Sequence, residues 1–112
     1  MQAPSTAVLA RIYTDEDALY GDEALAAVIV KRAREAQLAG ATVLRGSLGY
    51  GHSSRLHVHR PFALNDNMPV VIEIVDEETA VRAFIDTLGG FHDIGLITFE
   101  KVEVVRYGSR TG

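Results

Sequence analysis

Val70-Val71-Ile72-Glu73-Ile74-Val75-Asp76 carries the strongest strand signal in the chain, nearly continuous in β-branched residues, as an interior strand covered on both faces requires. Both parities are apolar, with Val70, Ile72 and Ile74 on one and Val71 and Val75 on the other. Asp76 then stands where a helix cap belongs, Glu77 and Glu78 suit a first turn, and Val81, Phe84, Ile85 and Leu88 recur at i, i+3, i+4 and i+7. Gly89-Gly90 is expected to end that helix.

Working outward, Ala7 to Thr14 alternates Val8, Ala10 and Ile12 against Leu9, Arg11 and Tyr13, which reads as a first strand. Asp22 is placed to cap a first helix whose apolar positions are Leu25, Val28, Ile29, Ala33 and Ala36, with Gly40 as its stop. Thr42 to Gly51 reads as a second strand that weakens toward its glycines. After Asp76 and its helix, Leu96–Phe99 and Val102–Tyr107 give one interrupted strand or two short ones. The order β-α-β-β-α-β predicts an α+β, ferredoxin-like sandwich, two helices on one face of a four-stranded antiparallel sheet. Such a sheet leaves its other face bare, and the second apolar parity of the central strand would then lie open. Oligomerisation through that face is expected. Arg11 and Glu73, on strands that should be neighbours, are expected to pair there.

Length and composition agree with one folded unit, so 1–112 is read as a single domain. Nine arginines and two lysines against fifteen acids give a net charge of −4, and no segment gathers the cations. Binding to bulk nucleic acid is therefore not expected. The absence of cysteine excludes a disulfide framework, a thiolate metal site and a cysteine nucleophile, and suits a cytoplasmic setting. Met1 to Thr6 lacks the pattern of a signal peptide, and no apolar run approaches about 18 residues, so no membrane insertion is expected.

The candidate chemistry lies in and beside the segment 52–68, a loop longer than a small domain keeps without use. His57 and His59 would fall on one side of an extended segment and form a candidate metal pair, with His52 or His92 to complete a site. Ser53 and Ser54 with His57 and an acid from Asp66 or Asp93 suggest a hydrolase only weakly, because no strand-turn-helix elbow surrounds the serines. Gly46, Gly49 and Gly51 match neither a phosphate-binding loop with its Gly-Lys-Ser/Thr nor a dinucleotide fingerprint with its following helix. Their simplest role is to let the second strand twist away into the loop.

Taken together, Arg11-Ile12-Tyr13, Tyr20-Gly21, Ala39 to Gly46, Gly49-Tyr50-Gly51 with Ser53 to His57, and Pro69 to Asp76 resemble the PII superfamily of trimeric signalling proteins. The residues resemble more closely its divergent branch, the domain of unknown function 190 family, over Val8 to Tyr107. The resemblance implies a homotrimeric, non-enzymatic PII-like regulator with a T-loop over about 52–68 that grips a target protein. Members of the branch are often encoded beside a fluoride-exporting membrane protein, which makes a membrane transporter the partner to test. It also implies an adenine nucleotide or other small anionic metabolite in clefts between subunits. Thr42 and the Glu73-Ile74-Val75 backbone would then lie near an adenine, Gly49, Tyr50, Gly51 and His52 at the loop base, and Gly90 to Gly95 in a phosphate-facing turn. Arg106 would reach phosphates from a neighbouring subunit. His52, Leu96 and Phe91 stand where typical PII proteins carry cations, and Gly108 replaces a second arginine for which Arg110 is the substitute. Each missing cation removes charge-assisted hydrogen bonds worth very roughly 1.5 to 3 kcal/mol, which favours AMP, ADP or a cyclic nucleotide over ATP.

Overall fold

The computed structural model describes residues 6–50, 57–58 and 67–105, with 57–58 described by their backbone alone. In chain order the elements are β1 (Thr6–Asp15), β2 (Leu19–Tyr20), β3 (Glu23–Ala24), α1 (Leu25–Glu35), β4 (Gly40–Arg45), β5 (Leu48–Gly49), β6 (His57–Val58), β7 (Pro69–Asp76), α2 (Glu78–Asp86) and β8 (Leu96–Glu103). The long strands form a four-stranded sheet in the order β4-β7-β1-β8, each neighbouring pair antiparallel. This is the expected α+β sandwich, and β7 is interior as its composition requires.

Period-two alternation sorts the sheet into two unlike faces. Val8, Ala10 and Ile12 of β1 and Val70, Ile72 and Ile74 of β7 are buried against Leu25, Ile29 and Ala33 of α1 and Val81 and Phe84 of α2, with Leu88 joining them. On the other face, Val71, Glu73 and Val75 are only half-buried. Within one chain the central strand is thus covered on one side, and the second apolar parity waits on the open side.

The helix boundaries differ from the sequence expectation for identifiable reasons. Asp22 does not cap α1. It lies in the turn of a small β2–β3 hairpin whose Gly21 has φ 66°, and α1 begins after Ala24 with no side-chain cap. The Leu25 N–H donates instead to the Ala18 carbonyl at 2.9 Å. At the other end Ala36 closes the helix and Gln37 takes the left-handed conformation, φ 61°, so Gly40 is released to open β4. A Cβ on Gly40 would stand 3.2 Å from Cγ1 of Val75, which accounts for the glycine as a close-packing residue.

Asp76 likewise ends β7 without capping α2, whose N-cap is Glu77. Its carboxylate, 5% exposed, accepts the Ala39 N–H at 2.9 Å and the Glu77 N–H at 2.6 Å. A buried acid is retained because it satisfies two backbone donors at the join of β4, β7 and α2. Helix α2 ends at Asp86 with Thr87 as its C-cap, whose hydroxyl donates to the Phe84 carbonyl at 2.6 Å, and Gly89-Gly90 falls beyond it. Strand β8 is continuous, and β4 stops at Arg45 instead of running to Gly51.

Candidate functional site

Antiparallel order gathers three connections at one end of the sheet: residues 16–24 after β1, the segment between β4 and β7, and the turn between α2 and β8. The base of the long loop is clamped there. The Gly46 N–H donates to the Pro69 carbonyl at 2.7 Å, and a Cβ on Gly46 would meet Cγ of Pro69 at 2.8 Å. Gly49 is under the same constraint at 3.3 Å. Close approach to Pro69 therefore explains these two glycines. Beyond them β5 pairs with β6, Leu48 opposite Val58 and Gly49 opposite His57, so the first half of the loop leaves the sheet as a hairpin stem.

Glu16 ties the start of the loop to its end. Its carboxylate accepts Nε of Arg45 at 2.8 Å and the Met68 N–H at 3.3 Å, while its own N–H donates to the Met68 carbonyl at 2.9 Å. Asp17 N–H donates to Oδ1 of Asn67 at 3.0 Å, and the Met68 side chain is fully buried. The third connection is fastened to β1. The Gly95 N–H donates to the Tyr13 carbonyl at 2.9 Å, and the Thr14 hydroxyl donates to the carbonyl of Asp93, itself at φ 49°, at 2.7 Å.

The open face carries two unlike rows. Register places Leu44, Val71, Tyr13 and Leu96 side by side across the four strands, and Leu44 and Leu96 are exposed. Next to it runs Thr42, Glu73, Arg11 and Thr98. Arg11 bonds Glu73 at 3.2 Å, as expected, and also Glu100 at 2.9 Å. The Glu100 hydrogen bond, with Glu73 adding to it, holds the Arg11 guanidinium above its usual pKa. The charge of this arginine is thus fixed at any physiological pH.

The residues singled out from sequence fall in separate places. Thr42 and Glu73 are register partners on the open face, Val75 lies beside Gly40, and the Ile74 side chain turns into the core. Gly49 and Tyr50 are at the loop base, with Tyr50 exposed, and Gly90 and Gly95 are in the turn before β8. Gly51, His52, His59, Arg106 and Arg110 lie outside the described residues. His57 is in β6, and among the described residues no group of three or more His, Asp or Glu is placed to hold a metal. No described helix is long and apolar enough to cross a membrane. Sequence reasoning missed Glu16, Asp17, Asn67 and Met68, whose contacts join positions about fifty residues apart and leave no local signal. It also missed a stack of Tyr20, Arg32 and Phe91, with Arg32 Cζ 5.2 and 4.7 Å from the two ring centroids.

The loop clamped at both ends thus stands on an antiparallel sandwich with one bare face. The model of the DUF190 family, described as an uncharacterized ACR, matches residues 7–104. The chain belongs to that family. Two UPF0166 proteins of Aquifex aeolicus (strain VF5) are similar to this DUF190 chain, at 41% identity covering 87% of this chain and 91% of the relative, and at 30% covering 87% and 95%. Among solved structures it resembles CPII, a nitrogen regulatory PII-like protein from Thiomonas intermedia K12. CPII bound to ADP, AMP and bicarbonate aligns with TM-score 0.61 at 14% identity over 90% of both chains. CPII bound to ADP and bicarbonate aligns with TM-score 0.59 at 15% identity over 90% of both. At that identity the likeness is one of fold, and the DUF190 chain has a PII-like fold.

Proposed function

We propose that this chain is a non-enzymatic PII-like regulator, one domain spanning 1–112, that works in the cytoplasm as a homotrimer assembled through the open sheet face. It takes a small anionic metabolite in the clefts between subunits, an adenine nucleotide in the form of AMP, ADP or a cyclic nucleotide in preference to ATP. Its loop over 52–68 contacts a target protein, with a membrane transporter as the first partner to test. The observation that carries the reading is the PII-like fold over 90% of the chain, shared with a protein whose structures hold ADP, AMP and bicarbonate.

The site residues follow from that reading. Thr42 and the Glu73-Ile74-Val75 backbone border the adenine, Gly49, Tyr50, Gly51 and His52 form the loop base, and Gly90 and Gly95 bound the phosphate-facing turn. Strand β8 starts beside that turn and ends at Glu103, about 23 Å away at the usual rise per residue. On this reading Arg106, with Arg110 standing in for a second arginine, reaches phosphates from a neighbouring subunit, and arginine suits phosphate by its two-pronged geometry.

Calorimetric titration with AMP, ADP, ATP and cyclic nucleotides, with and without magnesium, tests the ligand, and light scattering tests the assembly. The expected result is a trimer with saturable heat that disappears in Arg106→Ala. A monomer at micromolar concentration overturns the reading, and silence across the nucleotide panel overturns its ligand.

A further inference from the structure

Arg11, Lys31, Arg45 and Arg82 each hold a carboxylate within 3.2 Å. Arg32, half-buried on α1, holds none among the described residues, although Glu35 lies three positions along the same helix. Its guanidinium is instead pressed against two rings, 5.2 Å from the Tyr20 centroid and 4.7 Å from the Phe91 centroid. The rings are 4.6 Å apart and inclined at 52°. Stacking does not by itself forbid an ion pair. Arg82 lies 4.3 Å from the Phe99 ring and still donates to Glu78 at 2.8 Å.

A guanidinium stacked on aromatic faces keeps its donors in its own plane, pointing along the edge. Here the guanidinium, carried by α1, lies against rings from β2 and the turn after α2, so part of its side-chain freedom is already lost before an acceptor arrives. Phe91 is preceded by Gly89 and Gly90, whose N–H groups donate to no acceptor among the described residues. A guanidinium held against Phe91, whose preceding glycines have N–H groups with no acceptor among the described residues, suits an oxyanion.

We propose that the Tyr20–Arg32–Phe91 stack is a binding site for a single small oxyanion, a carboxylate or phosphate group, with Arg32 as the two-pronged donor and the rings as its positioning residues. This inference shares Gly90 with the nucleotide reading but uses Tyr20 and Arg32, which that reading does not, so variants at Arg32 and at Arg106 tell the two apart.

The test follows the Arg32 Nε–Hε resonance of the 15N-labelled full chain at low ionic strength, titrated separately with inorganic phosphate and with acetate. A saturable shift with either anion is expected, and the stronger of the two assigns tetrahedral or planar preference. Arg32→Lys, which keeps the charge and loses the planar fork, should weaken binding about tenfold by calorimetry, the worth of one charge-assisted hydrogen bond. Arg32→Gln should abolish it, and Phe91→Leu should weaken it with the charge intact. Arg106→Ala should leave the Arg32 response unchanged. No saturable shift with either anion overturns the proposal, as does an Arg32→Gln protein that binds like wild type. If Arg106→Ala removes the response, the anion occupies a different cleft, and the proposal is equally overturned.

Discussion

The two faces of the sheet are built from the same strands and could hardly differ more. Under the helices, Ile12, Ile72 and Ile74 are wholly buried and no polar side chain intrudes along the middle of the strands. One residue away on each strand, Arg11, Glu73 and Glu100 join across β1, β7 and β8 with an apolar row of Leu44, Val71, Tyr13 and Leu96 alongside. The first face is complete within one chain and supplies its folding free energy. The second has the mixed make-up of an interface, apolar area with a polar register device, so under the proposed assembly folding and association would be written on opposite parities of the same strands.

The comparison breaks most visibly at Ile72. Ile72→Ala removes fully buried methyl groups from under both helices and should cost about 2 to 5 kcal/mol, read as a lowered denaturant midpoint. A change one position earlier should act on assembly instead. Val71→Asp places a charge in the apolar row of the open face, and the unfolding free energy of the isolated subunit should fall by only about 1 kcal/mol, the span of strand preference. Sedimentation should meanwhile show the proposed trimer lost. If Val71→Asp unfolds the chain as Ile72→Ala does, the division of labour between the faces fails.

The smallest effect sharpens the contrast from outside the sheet. Glu78 on α2 is held below its ordinary carboxylate range by its hydrogen bond to Arg82, with the nearby positive charge adding to it. A carboxyl lowered in the folded state contributes stability above its unfolded pKa and loses it as pH falls through the folded value. Glu78→Gln should therefore shift the melting temperature barely at neutral pH and not at all in strong acid. Neither face should register the change.

Much of this was legible because one rule, alternation, governs both faces. Reading Val70 to Val75 as apolar on both parities led to the central strand, the bare face and the Arg11–Glu73 pair. The stripe of Val81, Phe84 and Leu88 gave α2 its core face for the same reason. Helix caps were misread where tertiary hydrogen bonds replaced local ones: Asp22 lost its role to the β2–β3 hairpin, and Asp76 was drawn off to the Ala39 N–H. The loop base was legible as glycines and illegible as a clamp. Nothing in Gly46 names Pro69, and nothing in Glu16 names both Arg45 and Met68, because these contacts are made only when two distant ends of the chain are brought together.

That clamp also sets how freely the intervening sequence can change. Because Gly46, Glu16, Met68 and Pro69 fix both ends of the segment on the sheet, the entropic part of closing it grows only with the logarithm of its length. Doubling it would cost about 0.6 kcal/mol. The closure entropy of an insertion between the two fixed points is therefore small, and the clamp holds the ends of the segment on the sheet whatever length separates them.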